Sequence, residues 1–163
     1  MKEQIDYPSF EGLSLAEIQE INAEFSHYEN KRAVSIEALK IIQKHRGWIS
    51  DACLVAVAEL LNIPSAQLEG VATFYNLIYR QPVGKTVIHY CNSVTCWMLG
   101  SDQVCERLCQ HLNVGVGEMT ANGEYILLPS VCLGACDHAP VVMVGTELKL
   151  DITENVINEI FGS

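Results

Sequence analysis

Apolar residues recur every three or four positions through residues 13–75, the period of helices that bury one face. Leu15, Ile18, Ile21, Phe25 and Tyr28 form the first stripe, and Ser14 with Glu17 makes a capping box that starts it. A second helix is predicted over about 33–46. Val34, Ala38, Ile41, Ile42 and His45 share one of its faces, Glu37, Lys40 and Lys44 another, and Gly47 stops it. Ser50 caps a third helix through DACLVAVAELL, which Asn62 closes. A fourth starts near Pro64, tolerated in a first turn, and runs to about Tyr75.

After Gln81 and Pro82 the pattern changes. KTVIHYC is short, β-branched and aromatic, which predicts a strand. WMLGSDQVCERLCQHL reads as one helix. EYILLPSVC reads as a second strand, and its unbroken apolar stretch predicts a buried one. PVVMV and ELKL pair as a hairpin through Gly145 and Thr146, and Thr153 caps a last helix, ENVINEIF. The order β-α-β-β-β-α suits a small mixed sheet flanked by helices. The expected class is therefore α/β: a helical domain over 1–82 and a sheet domain over 83–163, with no internal repeat and no low-complexity segment.

Composition narrows the function. Of 163 residues, 49% are hydrophobic and 18% charged, so the chain can bury a core. The net charge is -10, with 7 basic and 11 acidic side chains in residues 1–82 and 3 and 9 in residues 83–163. No basic footprint exists for nucleic acid or anionic lipid. No apolar run approaches the ~20 residues that span a bilayer. MKEQIDYPSFEG is acidic and polar, unlike a signal or transit peptide. The expectation is a cytoplasmic chain that meets a membrane only through other subunits. Seven cysteines, an odd number, in a reducing compartment point to metal ligation or redox chemistry rather than a disulfide framework.

Four of the cysteines form two pairs, Cys91-x4-Cys96 and Cys132-x3-Cys136, each where a predicted strand gives way to a loop. If the two strands lie near each other, four thiolates converge at one end of the sheet. Asn92, Ser93, Val94 and Thr95 can turn N–H groups inward, and Gly134 permits close backbone approach. Val94, Trp97, Val131, Leu133 and Pro140 can supply apolar cover, and a helix starting near Trp97 its N-terminal dipole. A four-thiolate [2Fe–2S] cluster needs such donors and such burial. The spacing matches neither the plant-type nor the bacterial ferredoxin run. It also fits a four-cysteine zinc site. A Rieske centre needs two histidines; His138 follows Cys136 closely, but the first loop offers none. Cys53, Cys105 and Cys109 read as packed on apolar helix faces.

In their surroundings, the pairs resemble a known family, the thioredoxin-like [2Fe–2S] subunit of respiratory complex I, the E subunit of the bacterial enzyme. The segments that carry the resemblance are SIEALKIIQKHRGWIS and LEGVATFYNLIYRQPVGK in the first half, and HYCNSVTCWMLG and LPSVCLGACDHAPVVMV in the second. It implies a helical bundle followed by a thioredoxin-like domain, with Cys91, Cys96, Cys132 and Cys136 as cluster ligands. It further implies the FMN- and NADH-binding subunit as partner, with the adjoining iron–sulfur subunit, and a place on the inner membrane face through the complex. Similar subunits occur in NAD-reducing hydrogenases and NAD-dependent formate dehydrogenases. The roles of Trp97 and His138 are not settled by the resemblance. The residues themselves add that NADH and FMN bind elsewhere, since neither a Gly-rich dinucleotide fingerprint nor a nucleophile–base pair is present. The helical half, which carries no ligand, is expected to be a docking element. A DNA-binding regulator, suggested by the helix–turn–helix look of 35–63, conflicts with the acidic charge. A disulfide oxidoreductase needs Cys-x-x-Cys.

Overall fold

The computed structural model describes residues 12–162; the acidic N-terminal stretch 1–11 lies outside the described residues. Contacts divide the chain into two compact units, Met1–Pro82 and Val83–Ser163. In the first, α1 (Leu15–Glu24) begins at the expected capping box. The Glu17 N–H donates to Ser14 Oγ at 3.3 Å, and the Ser14 N–H to Glu17 Oε2 at 2.7 Å. The predicted helix is shorter than its stripe, because the chain tightens into a 3-10 turn at Phe25–His27 before Tyr28. A second 3-10 turn, Lys31–Val34, is capped by Asn30 and leads into α2 (Ser35–Arg46). Gly47 ends α2 at φ +82, in the left-handed region that costs glycine nothing. α3 (Asp51–Leu61) is capped by Ser50 and closed by Asn62, and α4 (Ser65–Phe74) follows Pro64. Ile18, Ile21, Leu39, Ile42, Val57, Leu61 and Leu68 interlock as the core of this unit.

One carboxylate is buried with them. Glu17 is 2% exposed, and Arg46 grips both of its oxygens, through Nε and Nη2, each at 2.6 Å. The same guanidinium donates to Cys53 Sγ at 2.8 Å and to the Gly12 carbonyl at 2.8 Å. Burial pushes the Glu17 carboxyl up, but the Arg46 bonds, with the Ser14 N–H and hydroxyl, outweigh it and hold the group down at about 2.

In the second unit, β1 (Thr86–Cys91) is central. It pairs in parallel with β2 (Tyr125–Ser130) and antiparallel with β3 (Val142–Val144), which pairs with β4 (Glu147–Lys149) across the Gly145 turn. The sheet order is β2-β1-β3-β4. Ile88, Leu127 and Val142 meet Val104 and Leu108 of α6 (Ser101–Leu112) and Ile157 of α7 (Glu154–Phe161). β2 is buried at Ile126 and Leu127, as expected, and lies at the edge of the four-stranded sheet, where the Gly117 and Thr120 N–H groups donate to the Leu127 and Tyr125 carbonyls, each at 2.8 Å, and Pro129 is exposed. One expectation changes here. The single helix expected from Trp97 is two: α5 (Val94–Met98) contains Cys96, and α6 starts afresh after Gly100, whose φ of +98 breaks the first. Gly84 packs where a side chain has no room, since a Cβ there would lie 2.7 Å from the Tyr125 carbonyl carbon.

Candidate metal centre

Because β1 and β2 run in parallel, the loops that follow them open from one end of the sheet. Cys91 is the last residue of β1 and stands opposite Ser130, the last of β2. Cys96 follows within α5; Cys132 and Cys136 follow β2, and Cys136 opens a 3-10 turn, Cys136–His138. Backbone bonds set the floor of the site. The Cys91 N–H donates to the Val141 carbonyl at 3.1 Å and the Asn92 N–H to the Ser130 carbonyl at 3.0 Å.

The two pairs differ in setting. Cys91 and Cys96 are both 1% exposed and pack with Val141, Leu133, Ala135 and Ala139. Burial pushes the Cys96 thiol up to about 11, with the Cys91 thiol beside it and Cys136 adding to the shift. Cys132 and Cys136 are exposed, with sulfurs 3.3 Å apart. The Gly134 N–H donates to Cys132 Sγ at 3.4 Å, and this bond, with one from Cys136, pulls the Cys132 thiol down. Cys136 is pushed up by Cys132 first, by its charge as well as its hydrogen bond, while the Thr95 side chain works the other way and Cys91 adds repulsion. Each pair therefore feels the other, and all four thiols are free. Among the described residues no three His, Cys, Asp or Glu side chains gather around one point. The donors are two pairs of thiols, a set that would fit a four-thiolate two-iron core and that four-cysteine zinc sites use as well.

Several expected supporting residues take different parts. Gly134 plays its role, at φ +87 with its N–H on sulfur. Asn92 does not, because its N–H is spent on the sheet edge. Leu133 covers the buried pair, whereas Val94, Trp97 and Val131 are exposed, as are Met98 and Leu99. The helix dipole expected from Trp97 disappears with the helix, since α5 has five residues. His138 turns away to Asp151, Nδ1 to Oδ2 at 3.0 Å. Sequence reading missed the part of Thr95, whose hydroxyl serves a sulfur 41 positions ahead, and of Val141, whose carbonyl anchors Cys91. No local pattern marks either, because both act across the sheet end. Cys53 is buried as expected, against Arg46 as well as apolar neighbours.

A family profile described as thioredoxin-like [2Fe-2S] ferredoxin matches residues 21–163. The NADH-quinone oxidoreductase E subunits of Salmonella typhimurium and Escherichia coli are each 47% identical over 148 residues, which is 91% of this chain and 89% of each relative. Their counterpart of the same name in Pseudomonas aeruginosa is 46% identical over 140 residues, 86% of this chain and 84% of its own length. Among solved structures, an NAD+-reducing [NiFe]-hydrogenase in the air-oxidized state aligns over 76% of this chain with a TM-score of 0.63 and 20% identity. This chain spans 22% of that hydrogenase chain, and the likeness is one of fold alone.

Proposed function

This chain belongs to the thioredoxin-like [2Fe–2S] ferredoxin family, in the line of the NADH-quinone oxidoreductase E subunits, and we propose that Cys91, Cys96, Cys132 and Cys136 hold its one [2Fe–2S] cluster. The chain is an electron-transfer subunit of the NADH-oxidising part of that complex. Its partners are the subunit that binds FMN and NADH and the adjoining iron–sulfur subunit. The observation that carries the ligand assignment is the pairing of free thiols on two loops at one end of parallel strands. An equivalent place in an NAD-reducing hydrogenase is the second reading, supported by fold at 20% identity against relatives at 47%.

The cluster, when bound, supplies one-electron redox chemistry. This chain's residues supply the rest. Cys91 and Cys96 exclude water behind Val141 and Leu133. The Gly134 N–H steadies negative charge on Cys132, the kind of bond that raises a potential. All four thiols give up protons to bind metal, and burial holds Cys96 at about 11.

Purification without oxygen should yield roughly two irons and two sulfides per chain, with a spin-half electron paramagnetic resonance signal after dithionite reduction. Stoichiometric zinc, or no signal, would overturn the reading.

Among the described residues, no helix is long and apolar enough to cross a membrane. The place of the chain is peripheral, on the cytoplasmic face, held there by the complex. The helical unit is its docking element, and what supports this is Phe74, 79% exposed, beside exposed Tyr75 and Leu77. Phe74→Glu, which gives up only the edge-to-face contact with the Tyr75 ring among the ring contacts described, should leave the cluster signal intact and sharply reduce co-purification with the flavin subunit. Undiminished co-purification would remove Phe74 from the interface.

A further inference from the structure

We propose that Cys105 and Cys109 form a second thiol site, a helical dithiol that takes a trivalent arsenical by condensing both sulfurs onto one arsenic atom. The two residues stand four apart in α6, which sets their Cβ atoms roughly 5–6 Å apart on one face. Both are free and half-buried, at the border of the stripe formed by Ser101, Val104 and Leu108. Solvent reaches them, in contrast to the closed-off Cys53, Cys91 and Cys96.

Tyr90 forms the wall of the site. It packs with both cysteines against the core of the sheet unit, and Cys105 is near enough to raise its hydroxyl pKa. Side chains alternate along a strand, so Tyr90 and Cys91 leave β1 on opposite faces. Cys91 packs instead with Cys96 and Val141. The dithiol is thus separated from the four cysteines at the strand ends by the thickness of the sheet.

The surroundings select the ligand. Burial, and then the neighbouring Cys105, push the Cys109 thiol up; burial and the Cys105 contact push Tyr90 up to about 12, with Asp102 adding to it. Glu106 adds its repulsion at Cys109. Asp102 beside Tyr90 and Glu106 beside Cys109 disfavour added negative charge here. A two-coordinate copper(I) bis-thiolate carries one negative charge. A zinc ion needs further ligands, and among the described residues no third His, Cys, Asp or Glu joins the pair. An organic arsenic(III) oxide meets neither obstacle. Two S–H bonds and the arsenic–oxygen bond break, two As–S bonds form, and the protons leave with the oxygen as water. Nothing is oxidised or reduced, and the bound group is neutral with an apolar substituent to lay against Tyr90.

The test treats the full chain, purified without oxygen, with one equivalent of phenylarsine oxide and reads intact mass and visible absorption. Expected is a single adduct formed with loss of water, cluster absorption unchanged, and proteolytic mapping of the arsenic to the peptide containing both Cys105 and Cys109. Cys105→Ser and Cys109→Ser should each weaken binding by roughly 100-fold or more, the gain that a second tethered contact provides. Cys53→Ser should bind as the parent does. The mapping needs no variant, so misfolding of either one leaves the proposal exposed to failure. No adduct, an adduct that persists in both variants, or arsenic mapped to Cys132 and Cys136 with bleaching would overturn it. A chain that shows no cluster absorption before treatment would count against the cluster assignment alone.

Discussion

Cys96→Ala is expected to give a folded chain that holds no cluster. Iron and sulfide should fall from roughly two each per chain to near none, and the spin-half signal should vanish, while far-ultraviolet circular dichroism stays as it was. The fold survives because the second core rests on Ile88, Leu108, Leu127 and Val142, none of which touches the thiol through its packing cluster. The centre does not survive, because water cannot take the vacant position. Cys96 is 1% exposed, and so is Cys91, its partner. With the ligand set incomplete and iron lost, a Cys91 thiolate would be a buried charge without compensation, which costs several kcal/mol. A full complement of iron in the variant would show that another side chain completes the set.

Arg46→Ala should destabilise the helical unit by about 3–5 kcal/mol, the cost of leaving one member of a buried ion pair behind. The guanidinium joins α1 to α3 through Glu17 and Cys53, and it also holds the Gly12 carbonyl, so one substitution releases three contacts. Acid should have a related effect on the parent. The Glu17 carboxyl titrates at about 2 in the folded chain against 4.5 in the unfolded one. Its contribution, about 3 kcal/mol at ~1.4 kcal/mol per unit, is present above the unfolded value and drains away as pH falls toward 2. Urea unfolding of the iron-free chain, followed by helix signal at pH 6 and pH 3, measures both effects. In Glu17→Gln most of the pH dependence over that interval should be gone. An Arg46→Ala chain within 1 kcal/mol of the parent at pH 6 would show that Glu17 finds its own solvation.

Where caps and turns decide the backbone, the sequence was readable. Ser14 with Glu17, Gly47, Ser50, Asn62 and Thr153 all stand at helix ends, and Gly145 makes the hairpin. These signals are local, since each side chain or positive φ acts within four residues. The pairing of the cysteines was legible for a different reason: thiolate spacing is a property of the metal core as well as of the chain. What stayed hidden depends on distant neighbours. An apolar run does not give a strand its place in the sheet, and the bonds that Gly117 and Thr120 make to the outer side of β2 have no mark in the sequence. Asn92 looked like a donor to sulfur until Ser130, 38 positions on, claimed its N–H. Val94, Trp97 and Val131 looked like cover because hydrophobicity does not say which surface a side chain faces.

The pairing of Cys91 with Ser130 across parallel strands also dictates an order of events during synthesis. A parallel pair forms only after its crossover, here α5 and α6 with the loop beyond them, has been made and folded back. A nascent chain that has emerged through Cys96 displays half a ligand set, with the other half still in the ribosome. Iron delivered at that stage meets two thiols and open solvent. Loading must therefore wait for the second loop, which makes maturation of this protein a step that follows translation.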